Sequence, residues 1–82
     1  GYGRSLITAG KKDEAMEVFE FNAKKFPDTW PVNYGLARAY SAQGKYKKAL
    51  DYLRKAMTNA PEASKKNVEV NIEKLKKGED IN

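Results

Sequence analysis

The side chains that perform most enzyme chemistry are missing from this sequence of 82 residues. It contains no Cys and no His, which excludes disulfides, thiol catalysis, serine–histidine catalysis and the usual zinc ligands. Its carboxylates lie on charged stretches with lysines beside them, and no pattern gathers two of them into a pocket for acid–base work. We therefore expect no enzyme activity, no cofactor and no metal site.

Basic residues outnumber acidic residues, with 16 Lys+Arg against 11 Asp+Glu and a formal net charge of +5. Lysine pairs occur along the whole chain between acidic residues, whereas nucleic-acid binding needs one basic face and aromatic stacking platforms. We expect a solvated charged surface and no nucleic-acid partner. No apolar run approaches the roughly 18 residues of a membrane helix, so we expect no membrane partner. The compartment stays open between the bacterial cytoplasm and a periplasmic or secreted parent protein.

The elements that carry these side chains repeat with a period of 34 residues. At this offset Gly10 aligns with Gly44 and Pro27 with Pro61. Further aligned pairs are Arg4 with Arg38, Leu6 with Tyr40, Ala15 with Ala49, Phe19 with Leu53, and Ala23 with Met57. Because turn residues, small residues and large apolar residues all keep their register, the chain is built from repeated units.

Apolar spacing predicts an all-α chain of about five helices and no strand. The predicted helices are Gly3–Ala9 (the end of a helix), Lys12–Lys25, Pro31–Gln43, Tyr46–Asn59 and Glu62–Lys77. Glycines end the first, third and fifth helices, and the prolines at 27 and 61 prevent continuation of the second and fourth. The tail over 79–82 is predicted to be frayed.

Nine residues at fixed offsets follow a large-small-aromatic pattern on one helix and a small-large-small-Pro pattern on the next: Leu36, Ala37, Tyr40, Gly44, Tyr46, Ala49, Leu53, Ala56 and Pro61. Through them the stretch from Asn33 to Pro61 resembles the tetratricopeptide repeat family. Gly3 to Pro27 resembles the last three-quarters of a preceding repeat. The resemblance implies an α-solenoid fragment of antiparallel helix pairs. It consists of a truncated first repeat (1–27), a second repeat (28–61), a capping helix (62–78) and the tail (79–82). The residues that pack the repeats are Leu6, Ala15, Phe19, Leu36, Ala37, Tyr40, Tyr46, Ala49, Leu53 and Ala56.

The resemblance also implies a concave groove lined by the first helix of each pair. Beside the packing stripe of the second repeat lie Tyr34, Arg38, Ser41 and Ala42, and Arg4 holds the position of Arg38 one repeat earlier. Two guanidinium groups about 10 Å apart could clamp an acidic peptide or a carboxylate, with Tyr34 as a flat contact. The alternative is that these are ordinary solvated side chains.

Two aromatic residues fall outside the packing pattern. Phe21 aligns with Lys55 and lies beyond Val18 on the helical wheel. Val18 and Phe21 are therefore predicted to form an edge contact with the upstream chain or with another chain, the alternative being a lone exposed aromatic. Trp30 is predicted to fill the space left at Asn33, where the family prefers a large apolar residue, and its alternative role is a binding anchor.

The expected function is a non-enzymatic protein–protein interaction module, or scaffold. Its partner would be a protein or a peptide, and the arginines would favour an acidic one. The alternative is a structural C-terminal tail that packs on a larger parent protein and binds no separate ligand. Residues 26–33 and 76–82 look like the helical tail of larger bacterial proteins, and the sequence begins Gly1-Tyr2-Gly3 without an initiator Met. Since stacked repeats need about three units, we expect marginal stability or a homodimer across the open N-terminal edge.

Overall fold

Four helices make up most of the chain in a computed structural model that describes residue 7 and residues 9–82. They are α1 (Lys12–Lys25), α2 (Trp30–Ala42), α3 (Tyr46–Asn59) and α4 (Glu62–Lys76). No strand occurs in these residues, so the prediction of an all-α repeat fold is confirmed, with helix bounds within one residue of those expected. The predicted first helix, Gly3–Ala9, lies mainly outside the described residues.

The turns recur with the same period as the sequence. Gly10, Gly44 and Gly78 have φ of 83°, 77° and 75°, the left-handed conformation that favours glycine at helix ends. At the end of α2, the Gly44 amide donates to Ser41 (2.9 Å) and the following amide donates to Tyr40 (2.9 Å). At Gly44 the chain reverses direction, so α2 and α3 pack as an antiparallel pair.

Small residues bring α2 and α3 together. Ala37 on α2 and Ala49 on α3 are fully buried, and Leu53 and Ala56 fill the space beside them. Of the other predicted packing residues, Ala15 and Leu36 are buried, and Phe19, Tyr40 and Tyr46 are half-buried. Leu6 lies outside the described residues.

The helix α4 packs on this pair through Val68 and Leu75, which are 0% and 4% exposed. Ile72, between them, is half-buried. None of the helices in the described ranges is long and apolar enough to cross a membrane. The same residues contain no cluster of three or more acidic side chains that could hold a metal ion.

The C-terminal tail differs from the frayed segment that we expected. After Gly78 it folds back onto α2, and Ile81 is only 7% exposed within the main core cluster. The physical reason is that Ile81 removes a large apolar side chain from water, while polar groups on either side find partners on α2. This ordered tail is the feature of the fold that matters most for the candidate site.

Candidate functional site

The candidate site is the face of α2 that carries Tyr34, Arg38 and Ser41, called here the α2 face. These residues are spaced i, i+4 and i+7, so the helix places them in one row. The fourth predicted groove residue of this helix, Ala42, points elsewhere: it is 6% exposed and packs with Ile7 and Ala15. Arg4, the predicted partner of Arg38, lies outside the described residues.

Tyr34 is held by three neighbours at the N-terminal end of the α2 face. The amide of Asn71, on α4, donates to the Tyr34 hydroxyl. The Trp30 ring meets the Tyr34 ring edge-on, with the ring centroids 6.4 Å apart, and the Arg38 guanidinium carbon lies 4.7 Å from the Tyr34 ring centroid. Tyr34 therefore has a fixed orientation. The Arg38 guanidinium lies over the face of its ring in a favourable cation–π contact.

Arg38 is half-buried in the middle of the α2 face, with its Nη1 atom out of contact with solvent. Its backbone carbonyl accepts a hydrogen bond of 2.8 Å from the side-chain amide of Asn82. The tail thus reaches from the end of α2 back to the level of Arg38.

Ser41 is covered, not open as the predicted groove required. It is 1% exposed; its hydroxyl donates to Asp80 Oδ1 (2.6 Å) and accepts from the Ile81 amide (3.0 Å). The Ile81 side chain lies in the cluster that contains Ala37 and Leu53. The Ser41 hydroxyl therefore hydrogen-bonds both a carboxylate and a backbone amide of the tail.

Asp80 is ionised more readily than an ordinary aspartate. Burial opposes ionisation, but hydrogen bonds from the Ser41 hydroxyl and from the amide groups of Asn82, together with the charge of Lys12, outweigh it. The net result is a lowered pKa for Asp80. On the α2 face the Ser41 hydroxyl contributes to this stabilisation, while Asn82 of the tail and Lys12 of α1 supply the rest.

The predicted edge residues behave differently from each other. Val18 is half-buried and packs against Ile7 and Ala15, whereas Phe21 points outward and is 64% exposed. No described residue covers Phe21, so its contact with an upstream segment or another chain stays a prediction.

Trp30 lies inside the fold. It is half-buried, packs against the main core cluster and contacts Tyr34 edge-on. Asn33 is 3% exposed and its amide donates to Asp28 Oδ1 at 3.4 Å. The indole therefore supplies apolar packing close to the position where Asn33 replaces a large apolar residue.

Sequence reasoning missed the tail residues Asp80, Ile81 and Asn82. The available signal was an isoleucine three residues beyond a helix-ending glycine, in an otherwise polar segment. It also missed a stacked pair of tyrosines, Tyr40 and Tyr52, whose ring centroids are 5.5 Å apart with an interplanar angle of 9°. These two aromatics lie i and i+12 across a turn, so only the packing of α2 on α3 brings them together.

Antiparallel helix pairs with a 34-residue period and small residues at the helix contact define a helical-repeat protein. A family model described as tetratricopeptide repeat matches residues 6–66, and the chain belongs to this family. Comparison with curated proteins found no match, and comparison with solved structures found none either. Members of the family generally mediate protein–protein interactions and are typically not enzymes.

Proposed function

We propose that this chain is a non-enzymatic protein–protein interaction module that binds a peptide segment on the α2 face. The observation that supports the proposal is the tail itself. Asp80, Ile81 and Asn82 lie across α2 and are held by Ser41 and by the carbonyl of Arg38. A partner segment could make the same contacts when the tail is displaced.

The tail also indicates which partner chemistry the α2 face would accept. A carboxylate meets the Ser41 hydroxyl, an aliphatic side chain enters the apolar space beside Ala37, and a side-chain amide reaches a backbone carbonyl. Hydrogen bonds fix the register of the segment, and the buried aliphatic side chain supplies apolar contact area. An acidic residue followed by an aliphatic residue is therefore the proposed recognition pattern.

The proposal is tested with a capped synthetic peptide of residues 77–82 added to two ¹⁵N-labelled proteins. One is the unmodified chain and the other is an Asp80→Ala/Ile81→Ala variant, whose own tail has lost its carboxylate and its apolar anchor. We expect saturable shifts of the α2 amides in the variant. In the unmodified chain the peptide should bind at least tenfold more weakly, because the attached tail competes at an effective concentration in the millimolar range.

A control peptide with alanine in place of the Asp and Ile should produce no α2 shifts in either protein. Far-UV circular dichroism establishes that the double variant is folded, and Asp80→Ala alone, which keeps the apolar anchor, serves if the double variant unfolds. A folded variant whose α2 amides ignore the peptide, or respond equally to the control peptide, would refute the proposed binding face.

A second candidate function is supported by the same tail. If the chain is a structural tail of a larger protein, its α2 face needs no ligand, and filling by its own residues is the expected arrangement. In that case the exposed Phe21 would contact the parent protein. With the parent chain attached, protection of the Phe21 region from hydrogen exchange, together with no peptide binding on α2, would favour this candidate.

A further inference from the structure

The tail residues Asp80 and Asn82 bond to each other and close a turn on the α2 face. Asp80 Oδ1 accepts a hydrogen bond from the backbone amide of Asn82 (3.1 Å) and a second from its side-chain amide (2.8 Å). A bond from the amide at i+2 to the carboxylate at i defines an Asx turn. The segment that covers α2 therefore has a specific local conformation of its own.

This turn meets α2 at two levels. The Ser41 hydroxyl donates to the same Asp80 Oδ1 (2.6 Å) and accepts from the Ile81 amide (3.0 Å). The side-chain nitrogen of Asn82 also donates to the carbonyl of Arg38 (2.8 Å). A side-chain amide has two N–H donors. Asn82 uses one of them to close the turn and the other to bind the helix.

The residue between the two polar ones supplies the apolar contact. Ile81 is 7% exposed and shares the main core cluster with Ala37, Leu53 and Val68. Because Asp80 and Asn82 bond to each other on either side of it, the turn presents its polar groups to Ser41 and Arg38 while Ile81 enters the core. All three positions of the turn thus contribute a different contact.

We propose that the α2 face recognises an Asx turn of the pattern Asp–aliphatic–Asn, with the third residue as a specificity determinant. This inference rests on the proposed function and names its partner class, a protein or peptide segment that forms this turn. A segment whose own hydrogen bonds favour the bound conformation loses less conformational freedom on binding than an open one.

The third position separates turn recognition from a general attraction of acidic segments. Alanine there removes both side-chain donors. Aspartate is worse, because it offers only acceptors and places a second carboxylate beside the first and near a backbone carbonyl. Turn recognition therefore predicts the order Asn, then Ala, then Asp. Since the chain has a formal net charge of +5, simple charge attraction predicts that the segment with Asp binds most tightly.

The first test uses acetylated and amidated peptides of residues 77–82, titrated by NMR into the folded Asp80→Ala/Ile81→Ala variant. The Asn82→Ala peptide should bind about five- to tenfold more weakly than the unmodified peptide, and the Asn82→Asp peptide more weakly still. The matched control is the Glu79→Ala peptide, which changes an exposed position outside the turn. Its dissociation constant should change less than about threefold.

The second test uses the intact chain and needs no added peptide. The Ile81 amide, which donates to Ser41, reports whether the turn is docked. Its protection factor against hydrogen exchange should fall at least about fivefold in Asn82→Ala and less than about twofold in Glu79→Ala. Unchanged protection in Asn82→Ala would overturn the role of the third residue.

The peptide series distinguishes failure of this inference from failure of the proposed function. Equal binding of the Asn and Ala peptides would overturn turn recognition and leave peptide binding on α2 in place. Tightest binding of the Asp peptide would also overturn it and indicate charge attraction. If none of the peptides binds, the proposed function and this inference both fail. Asp80→Ala alone is the host if circular dichroism shows that the double variant is unfolded.

Discussion

Replacing Gly35 by alanine gives a direct test of how closely α1 and α2 pack. Gly35 lies in the interior of α2 and is buried. A Cβ at this position would lie 2.5 Å from Phe19 Cδ1 and 2.6 Å from Phe19 Cε1. Both distances are far shorter than a normal contact between carbon atoms, about 3.5–4.0 Å. The ring of Phe19 therefore occupies the space that a side chain at position 35 would need.

Two opposing effects set the magnitude. In an unobstructed helix interior, Gly→Ala stabilises by about 0.5–1 kcal/mol, because alanine loses less backbone entropy on folding. Forcing an extra carbon into a packed core costs about 1–3 kcal/mol. The Phe19 ring cannot move away without a penalty, because it also packs against Met16 and Leu36. We expect Gly35→Ala to destabilise the chain by about 0.5–2 kcal/mol.

The assay is urea denaturation followed by circular dichroism, in a double-mutant cycle with Phe19→Leu. In the Phe19→Leu background the clash is relieved, so Gly35→Ala should be neutral or stabilising. The coupling free energy between the two sites should then be about 1–3 kcal/mol. A Gly35→Ala variant that is stabilised in the unmodified background, or that has the same effect in both backgrounds, would refute the close packing of α1 on α2.

Three further predictions concern the tail and the tyrosine pair. The pKa of Asp80 is lowered below its ordinary 3.8. The contribution of Asp80 to folding stability is therefore present above about pH 4 and is lost as the pH falls through the lowered value. Carboxyl NMR titration should show that Ser41→Ala raises the pKa of Asp80. Burial, the neighbouring Tyr52 and the nearby Glu20 raise the pKa of Tyr40. The contribution of Tyr40 to folding stability is therefore complete below about pH 10 and declines at higher pH. Absorbance at 295 nm follows this ionisation. Ile81→Ala should destabilise by about 2 kcal/mol, whereas Val70→Ala, at a position 49% exposed, should change stability by less than about 0.5 kcal/mol in the same urea assay.

The fold could be predicted because its determinants are local and repeated. Helix ends depend on Gly44 and on the prolines, whose backbone requirements hold in any context. The contact between α2 and α3 depends on Ala37 and Ala49, which recur at fixed spacing with large residues beside them. Each of these signals lies within one repeat, so no knowledge of distant contacts was needed.

The candidate site could be predicted only in part, because its occupant comes from far along the chain. Tyr34, Arg38 and Ser41 share a helix face by spacing alone. That Ser41 is covered depends on Asp80 and Ile81, which are about 40 residues away and belong to no repeated pattern. The close approach of Phe19 to Gly35 was also outside sequence reasoning, because it depends on the distance between two helices.

The helix α4 shows where the repeat pattern stops being a guide. Gly78 follows Gly44 by 34 residues and has the same sign of φ. The residues at that offset from the buried Leu36 and Ala39 of α2 are Val70 and Glu73, and both are exposed. The buried residues Val68 and Leu75 lie two positions away from them, so α4 is turned about its axis relative to a repeat helix. This rotation explains why a valine at position 70 faces solvent.

When two repeats of one chain are aligned, the positions with similar residues are those that packing requires. The positions with dissimilar residues therefore carry other information. Ala15 and Ala49 agree because two helices must approach there. Phe21 and Lys55 disagree although both are exposed, and neither type is needed for packing at that position. The charge reversals between α1 and α3, such as Asp13 against Lys47, are disagreements of the same kind, at exposed positions where packing requires neither charge.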